Sequence, residues 1–126
     1  MKIKIVACLA FAFLLYILWA ADTGHFPGLV ASLYAFPYGD KVGHFCLYGL
    51  IALFLALAFP RVCHGKRFRI PMIIVAFLIF SVAEEWSQSF FYRRTPDLID
   101  AVCSCTGILF GTWVAYRWKN RLGLLL

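Results

Sequence analysis

Charge is scarce in this chain: only 14% of its 126 residues are Asp, Glu, Lys or Arg. A soluble domain of this size exposes most of its surface and carries roughly a quarter charged residues. The shortage argues against a water-soluble fold, and the length allows one compact unit rather than two domains. Acids are scarcer still, 6 against 12 Lys and Arg, for a formal net charge of +6. That excess could point to nucleic acid. Here the basic residues form short clusters between apolar runs, as membrane orientation demands, so no nucleic-acid partner is expected. A cysteine ladder is missing too: Cys8, Cys46, Cys63, Cys103 and Cys105 are odd in number and irregularly spaced. No disulfide framework is indicated. Cys103 and Cys105, two residues apart, point to different faces of a helix, which argues against a dithiol clamp.

What the chain has in abundance is apolar residues, 63% of the total. A transmembrane helix needs roughly 17–25 mainly apolar residues. Four stretches qualify, at about 3–21, 42–59, 70–91 and 97–118. The first is long for the apolar core of a signal peptide and has no small-x-small site before Asp22, so it reads as a retained span. Pro60 closes the second, and Pro71 suits the first turn of the third. Thr95 and Pro96 read as the cap and first residue of the fourth. The connection 22–41, with Gly24, Pro27, Gly28, Pro37 and Gly39, is expected to be irregular or re-entrant. The fold class is therefore all-α: a four-helix transmembrane bundle forming a single domain over 1–126.

Nine of the 12 basic residues (Lys2, Lys4, Arg61, Lys66, Arg67, Arg69, Arg117, Lys119 and Arg121) fall at one end of such a bundle. The Lys/Arg bias of short loops makes that end cytoplasmic, with both termini inside and the 22–41 loop outside. All 6 acids (Asp22, Asp40, Glu84, Glu85, Asp97 and Asp100) fall in the opposite half, although the orientation rule makes no demand on acids.

Within that half the spacings are helical. Asp40, His44 and Tyr48 run i, i+4, i+8, with Lys41 beside them; Gln88 lies three residues after Glu85 and four after Glu84. Asp97, Asp100, Ser104, Gly107 and Gly111 form one stripe. Gly107 and Gly111 read first as a packing seam, within the chain or between copies in a homo-oligomer. Asp97 reads as a helix-dipole partner. Arg93 and Arg94 could anchor the interface. Glu85, about two turns (~10 Å) inside the expected helix end, is the hardest to treat as scaffolding. A carboxylate within a span costs at least ~2.5 kcal/mol and normally faces the bundle interior with a partner. Lys41, Arg94 and His44 are the candidate partners.

The pattern Asp40-Lys41-x-x-His44-Phe45-x-x-Tyr48, then Glu85-x-x-Gln88-Ser89-Phe90, then Arg94, then Asp100 with Gly107 and Gly111, resembles the VanZ-like family of bacterial membrane proteins. The resemblance covers about residues 36–112. It implies a compact helical protein of the bacterial cytoplasmic membrane, in a family whose founding member is associated with low-level resistance to the lipoglycopeptide teicoplanin. It implies no particular reaction. Two positions depart from the family pattern: Ser104 stands where Asn or Asp is usual, and Tyr92-Arg93 precedes Arg94 where Pro-Gly is frequent.

The leading expectation is a site for an amphiphilic ligand, a cell-envelope lipid, a lipid-linked cell-wall component or a lipoglycopeptide. Asp40, Lys41, His44, Tyr48, Glu85, Gln88, Arg94, Asp100 and Ser104 would line it. Lys41, Arg93 and Arg94 would offer donors to phosphate or carboxylate, and aromatic neighbours would meet acyl chains. One alternative is an intramembrane enzyme with His44 or Glu85 as general base. No nucleophile stands out for it, since Ser89 and Ser104 have no evident activating base. Another is proton or ion movement through an oligomer, with Glu85 and His44 as relay. No cofactor and no metal is assigned, with a metal site of His44, Glu85 and Asp100 as a minor alternative: the ligand types are suitable, but no His-x-x-x-His spacing brings ligands together on one helix.

Overall fold

The structure is a computed structural model that describes residues 2–25, 28, 31–32, 35–59, 70–91 and 95–121. Four long helices account for most of them: α1 (Lys2–Thr23), α2 (Gly39–Ala58), α3 (Met72–Ser87) and α4 (Leu98–Arg121), with a 3-10 turn at Gln88–Phe90 extending α3. No strand occurs among the described residues. All four helices, α3 counted through Phe90, are long and apolar enough to cross a membrane.

Local chemistry sets the helix ends. At the end of α1, Gly24 takes φ 75, a left-handed conformation that glycine adopts without a Cβ clash. Its N–H bonds Ala21 O at 3.3 Å and the His25 N–H bonds Ala20 O at 2.8 Å, the paired closure typical of a glycine-terminated helix. Gly28, Ala31 and Ser32 are helical, so the connection expected to be irregular contains helical backbone, with turns at its two ends. Phe59 leaves α2 in an extended conformation, as the residue before a proline prefers. Pro71 is the cap of α3 and not a first-turn residue.

The start of α4 differs from expectation. Asp97, not Thr95, caps it: Oδ1 accepts the Ile99 N–H at 2.9 Å, and the Asp97 carbonyl accepts the N–H of Asp100 and Ala101. A carboxylate outcompetes a threonine hydroxyl here because it also meets the positive end of the helix dipole.

Helix α2 touches the other three, and α4 is its closest partner. Lipid offers no hydrophobic drive for helices to associate, so close packing must supply it. Small residues provide that closeness. The position of a Cβ on Gly49 would lie 3.0 Å from the Gly107 carbonyl, one on Gly107 would overlap the Phe45 backbone, and one on Gly111 would overlap the Gly49 carbonyl. The glycine seam thus faces α2 of the same chain. Tyr48 stacks on Phe77 with centroids 5.4 Å apart, and Phe11 meets Phe77 edge-on at 6.0 Å, tying α2 and α1 to α3. Outward rows such as Leu9, Ile79, Leu109 and Phe110 remain exposed, an arrangement that suits a lipid surround.

Lys4 lies 5.9 Å from the centroid of Phe59, and Lys119 Nζ donates to Ala56 O at 2.8 Å. The start of α1 and the ends of α2 and α4 are therefore together, at a basic end. The acids lie at the other. Arg61, Lys66, Arg67 and Arg69, counted in the expected charge bias, are outside the described residues.

Candidate functional site

The acidic end is organised along the α2–α4 contact. Lys41, in the first turn of α2, directs its ammonium at three aspartates: Asp97 Oδ2 at 2.8 Å, Asp100 Oδ1 at 2.9 Å and Asp40 Oδ2 at 3.2 Å. An ammonium has three N–H donors, so the aspartates match its full capacity. The donors that the sequence reading offers to a ligand are here directed to the chain's own carboxylates. The Lys41 hydrogen bond, followed by the Ile99 N–H, holds the Asp97 carboxyl below the usual carboxylate range.

One turn deeper, His44 Nδ1 lies 2.9 Å from Ser104 Oγ. Both residues are buried, and the imidazole stacks on Tyr48 with centroids 5.9 Å apart and planes 6° from parallel. Either Ser104 donates to Nδ1 or Nδ1–H donates to Ser104, according to the tautomer. Ser104 therefore does have a base within reach, contrary to the sequence expectation. The spacing along each helix was legible, but the partner comes from α2 and the serine from α4.

Helix α3 closes the site. Glu85 is only 5% exposed, and its Oε1 accepts the Asp97 N–H at 2.9 Å. The α-helix proper ends at Ser87 and the 3-10 turn carries α3 on to Phe90, beyond Glu85. Gln88 is buried and donates from Nε2 to Glu84 Oε1 at 2.9 Å and, more weakly, to Glu85 Oε2 at 3.4 Å. Tyr48 OH donates to the other oxygen of Glu84 at 3.1 Å. These bonds join α2, α3 and the start of α4 into one polar network, which is how buried carboxylates become tolerable in an apolar bundle.

Of the residues expected to form the site, Asp40, Lys41, His44, Tyr48, Glu85, Gln88, Asp100 and Ser104 all lie in this network. Arg94 lies outside the described residues, as do Tyr92 and Arg93. The expected site does not include Glu84 or Asp97; the sequence places both in the acidic half, and Asp97 as a helix-dipole partner. Both carried a signal: Glu84 stands i−4 to Gln88, and Asp97 heads the same stripe as Asp100.

The ligand-type atoms of His44, Glu85 and Asp100 lie within 4.8 Å of one another, although the residues come from three different helices. The described residues of this end hold five carboxylates (Asp40, Glu84, Glu85, Asp97 and Asp100) and one ammonium, which meets only the three aspartates. The site is thus rich in acceptors, able to take donors from hydroxyls or amines or to hold a cation. Compared with known proteins, the chain matches no family model, no curated protein and no solved structure.

Proposed function

We propose that this chain is a VanZ-like protein of the bacterial cytoplasmic membrane, with both termini cytoplasmic and the acidic end facing outward. That end engages the polar part of an amphiphilic cell-envelope molecule, a lipid-linked cell-wall component or a lipoglycopeptide of the teicoplanin type. The observation that carries this reading is the convergence of His44, Glu85, Asp100 and Ser104 at one end of a bundle whose flank is aromatic and exposed. Trp86 and Phe90 are 75% and 85% exposed beside the buried Glu85 and Gln88. A ligand could therefore place its polar part at the network and its chain along the aromatic flank. The acceptor-rich described residues favour sugar hydroxyls or amines over phosphate. Arg93 and Arg94 would supply any anion contact.

Binding of teicoplanin and of a lipid-linked saccharide to purified protein in nanodiscs tests this. Saturable binding is expected, weakened at least tenfold in Asp100→Asn and in Arg94→Ala. Undiminished affinity in both variants overturns the site.

A second reading rests on the 2.9 Å Ser104–His44 contact. With Ser104 donating to Nδ1, His44 is its general base, and Glu85 or Asp100 orients the imidazole. The protein would then be an intramembrane enzyme acting on a lipid-linked ester or phosphate. Time-resolved product formation from such a lipid, abolished in Ser104→Ala, separates turnover from binding.

A further inference from the structure

We propose that His44, Glu85 and Asp100 form a site for one divalent transition-metal ion, buried between α2, α3 and α4. Their three ligand-type atoms lie within 4.8 Å of one another. An ion equidistant from three atoms 4.8 Å apart lies ~2.8 Å from each, against bonds of about 2.0–2.2 Å. Movement of up to ~0.7 Å per ligand therefore brings them to coordination distance. Two carboxylates and one neutral imidazole carry the charge that a dication neutralises. Nitrogen and carboxylate oxygen ligands suit zinc, manganese or iron rather than a thiolate-seeking ion.

The surroundings of each ligand argue in the same direction. Metal-bound imidazoles and carboxylates are normally oriented by hydrogen bonds on their other atoms. Here His44 Nδ1 meets Ser104 Oγ at 2.9 Å, so Nε2 is the coordinating nitrogen. Asp100 Oδ1 accepts from Lys41 at 2.9 Å, which assigns Oδ2 to the ion. Glu85 is oriented by the Asp97 N–H on Oε1 at 2.9 Å and, more weakly, by Gln88 Nε2 on Oε2 at 3.4 Å. This use needs the tautomer with a proton on Nδ1, the opposite of the one in which Ser104 is a nucleophile. Three protein ligands leave further coordination positions for water or a ligand oxygen, as in catalytic rather than structural zinc sites. Spacing along any one helix gives no such site, because each of the three helices contributes one ligand. The site shares His44, Glu85 and Asp100 with the amphiphile reading but does not depend on it, and is tested without any amphiphile.

The full chain, purified in detergent, is stripped with chelator, loaded with Zn²⁺ alone and dialysed, and its zinc is counted by mass spectrometry. About one equivalent per chain is expected, as is a Co²⁺ derivative with visible d–d absorption from mixed nitrogen and oxygen ligands. Glu85→Gln keeps an acceptor for the Asp97 N–H, and Asp100→Asn keeps one for Lys41, so each removes ligand charge with little change in shape. Each should lower zinc affinity at least tenfold, as should Ser104→Ala through loss of imidazole orientation, about 10–100-fold. Asp22→Asn, on α1, should bind as the wild type does. A wild-type chain that retains no zinc and gives no cobalt spectrum overturns the proposal without recourse to any variant. Zinc uptake unchanged in both Glu85→Gln and Asp100→Asn overturns it as well.

Discussion

The contact between α2 and α4 has two halves that hold by different physics. Near the acidic end, Lys41 meets Asp97 and Asp100, and His44 meets Ser104, through directional bonds of 2.8–2.9 Å. Toward the bundle centre, Phe45 meets Gly107 and Gly49 meets Gly111, through backbone contact in which no side chain fits. The stripe 97–100–104–107–111 serves both with one helical spacing. The glycine half sets how close the two helices come, and sterics alone enforce it. The polar half needs that closeness, because its bonds fail over a few tenths of an ångström. The polar residues can therefore be specialised for chemistry while the glycines hold the register.

The sharpest way to break this division is to add one carbon to the glycine half. A Cβ at position 111 would overlap the Gly49 carbonyl, one at 107 would overlap the Phe45 backbone, and one at 49 would meet the Gly107 carbonyl at 3.0 Å. Backbone cannot move aside as a flexible side chain can, so the helices must separate. Overpacking usually costs 1–3 kcal/mol, and about 3 or more is expected for Gly111→Ala. Gly107→Ala should cost less, and Gly49→Ala least. Thermal unfolding in one detergent orders them. Gly111→Ala should also disrupt the His44–Ser104 contact at a distance, seen as a change in the imidazole NMR signals. An unshifted His44 in that variant would show the halves to be independent.

The next largest effect belongs to the polar half. Lys41→Met leaves Asp40, Asp97 and Asp100 facing one another without their ammonium, and a removed partner costs more than the pair was worth. A marked fall in Tm is expected. Adding Asp97→Asn and Asp100→Asn to Lys41→Met should recover much of it, because the repulsion leaves with the carboxylates. If the triple variant is no more stable than Lys41→Met, the aspartates are not held in place by that ammonium.

How much of this could be read from residues alone follows the same division. The helices were legible because apolar runs of the right length are a property of each segment. The stripe on α4 and the Asp40–His44–Tyr48 face were legible because i+3 and i+4 spacings need only one helix. The pairings were not. Nothing along α2 says that Lys41 turns to Asp97 and Asp100 rather than to Glu85, or that His44 faces Ser104, because the relative height of two helices is set by the glycine contact between them. Glu85 shows the cost of that gap: in sequence it is a buried charge in search of a cation, whereas in the structure it also accepts the N–H of Asp97, the residue that starts the next helix. Arg94, which carries part of the family resemblance, lies outside the described residues.

The smallest predicted effect is also the most specific to the polar half. Asp97 combines two roles: Oδ1 caps α4 through the Ile99 N–H, and Oδ2 pairs with Lys41 at 2.8 Å. Asp97→Asn keeps an oxygen for the cap and removes only the charge. The Asp97 carboxyl is held below its ordinary value, first by the Lys41 hydrogen bond. A depressed folded-state pKa means that the stabilisation is complete above the unfolded value, about 3.9. It is then lost as pH falls through that value toward the lower folded one. The Tm difference between wild type and Asp97→Asn should therefore be constant from neutral pH to about 5, then close as the solution is made more acid. In the Lys41→Met background the closing should be smaller, because the ammonium is gone and the Ile99 N–H is left to lower the pKa. A difference that stays flat down to pH 3 in the Lys41 protein would assign Asp97 to the cap alone, leaving Asp100 as the aspartate that ties α4 to Lys41.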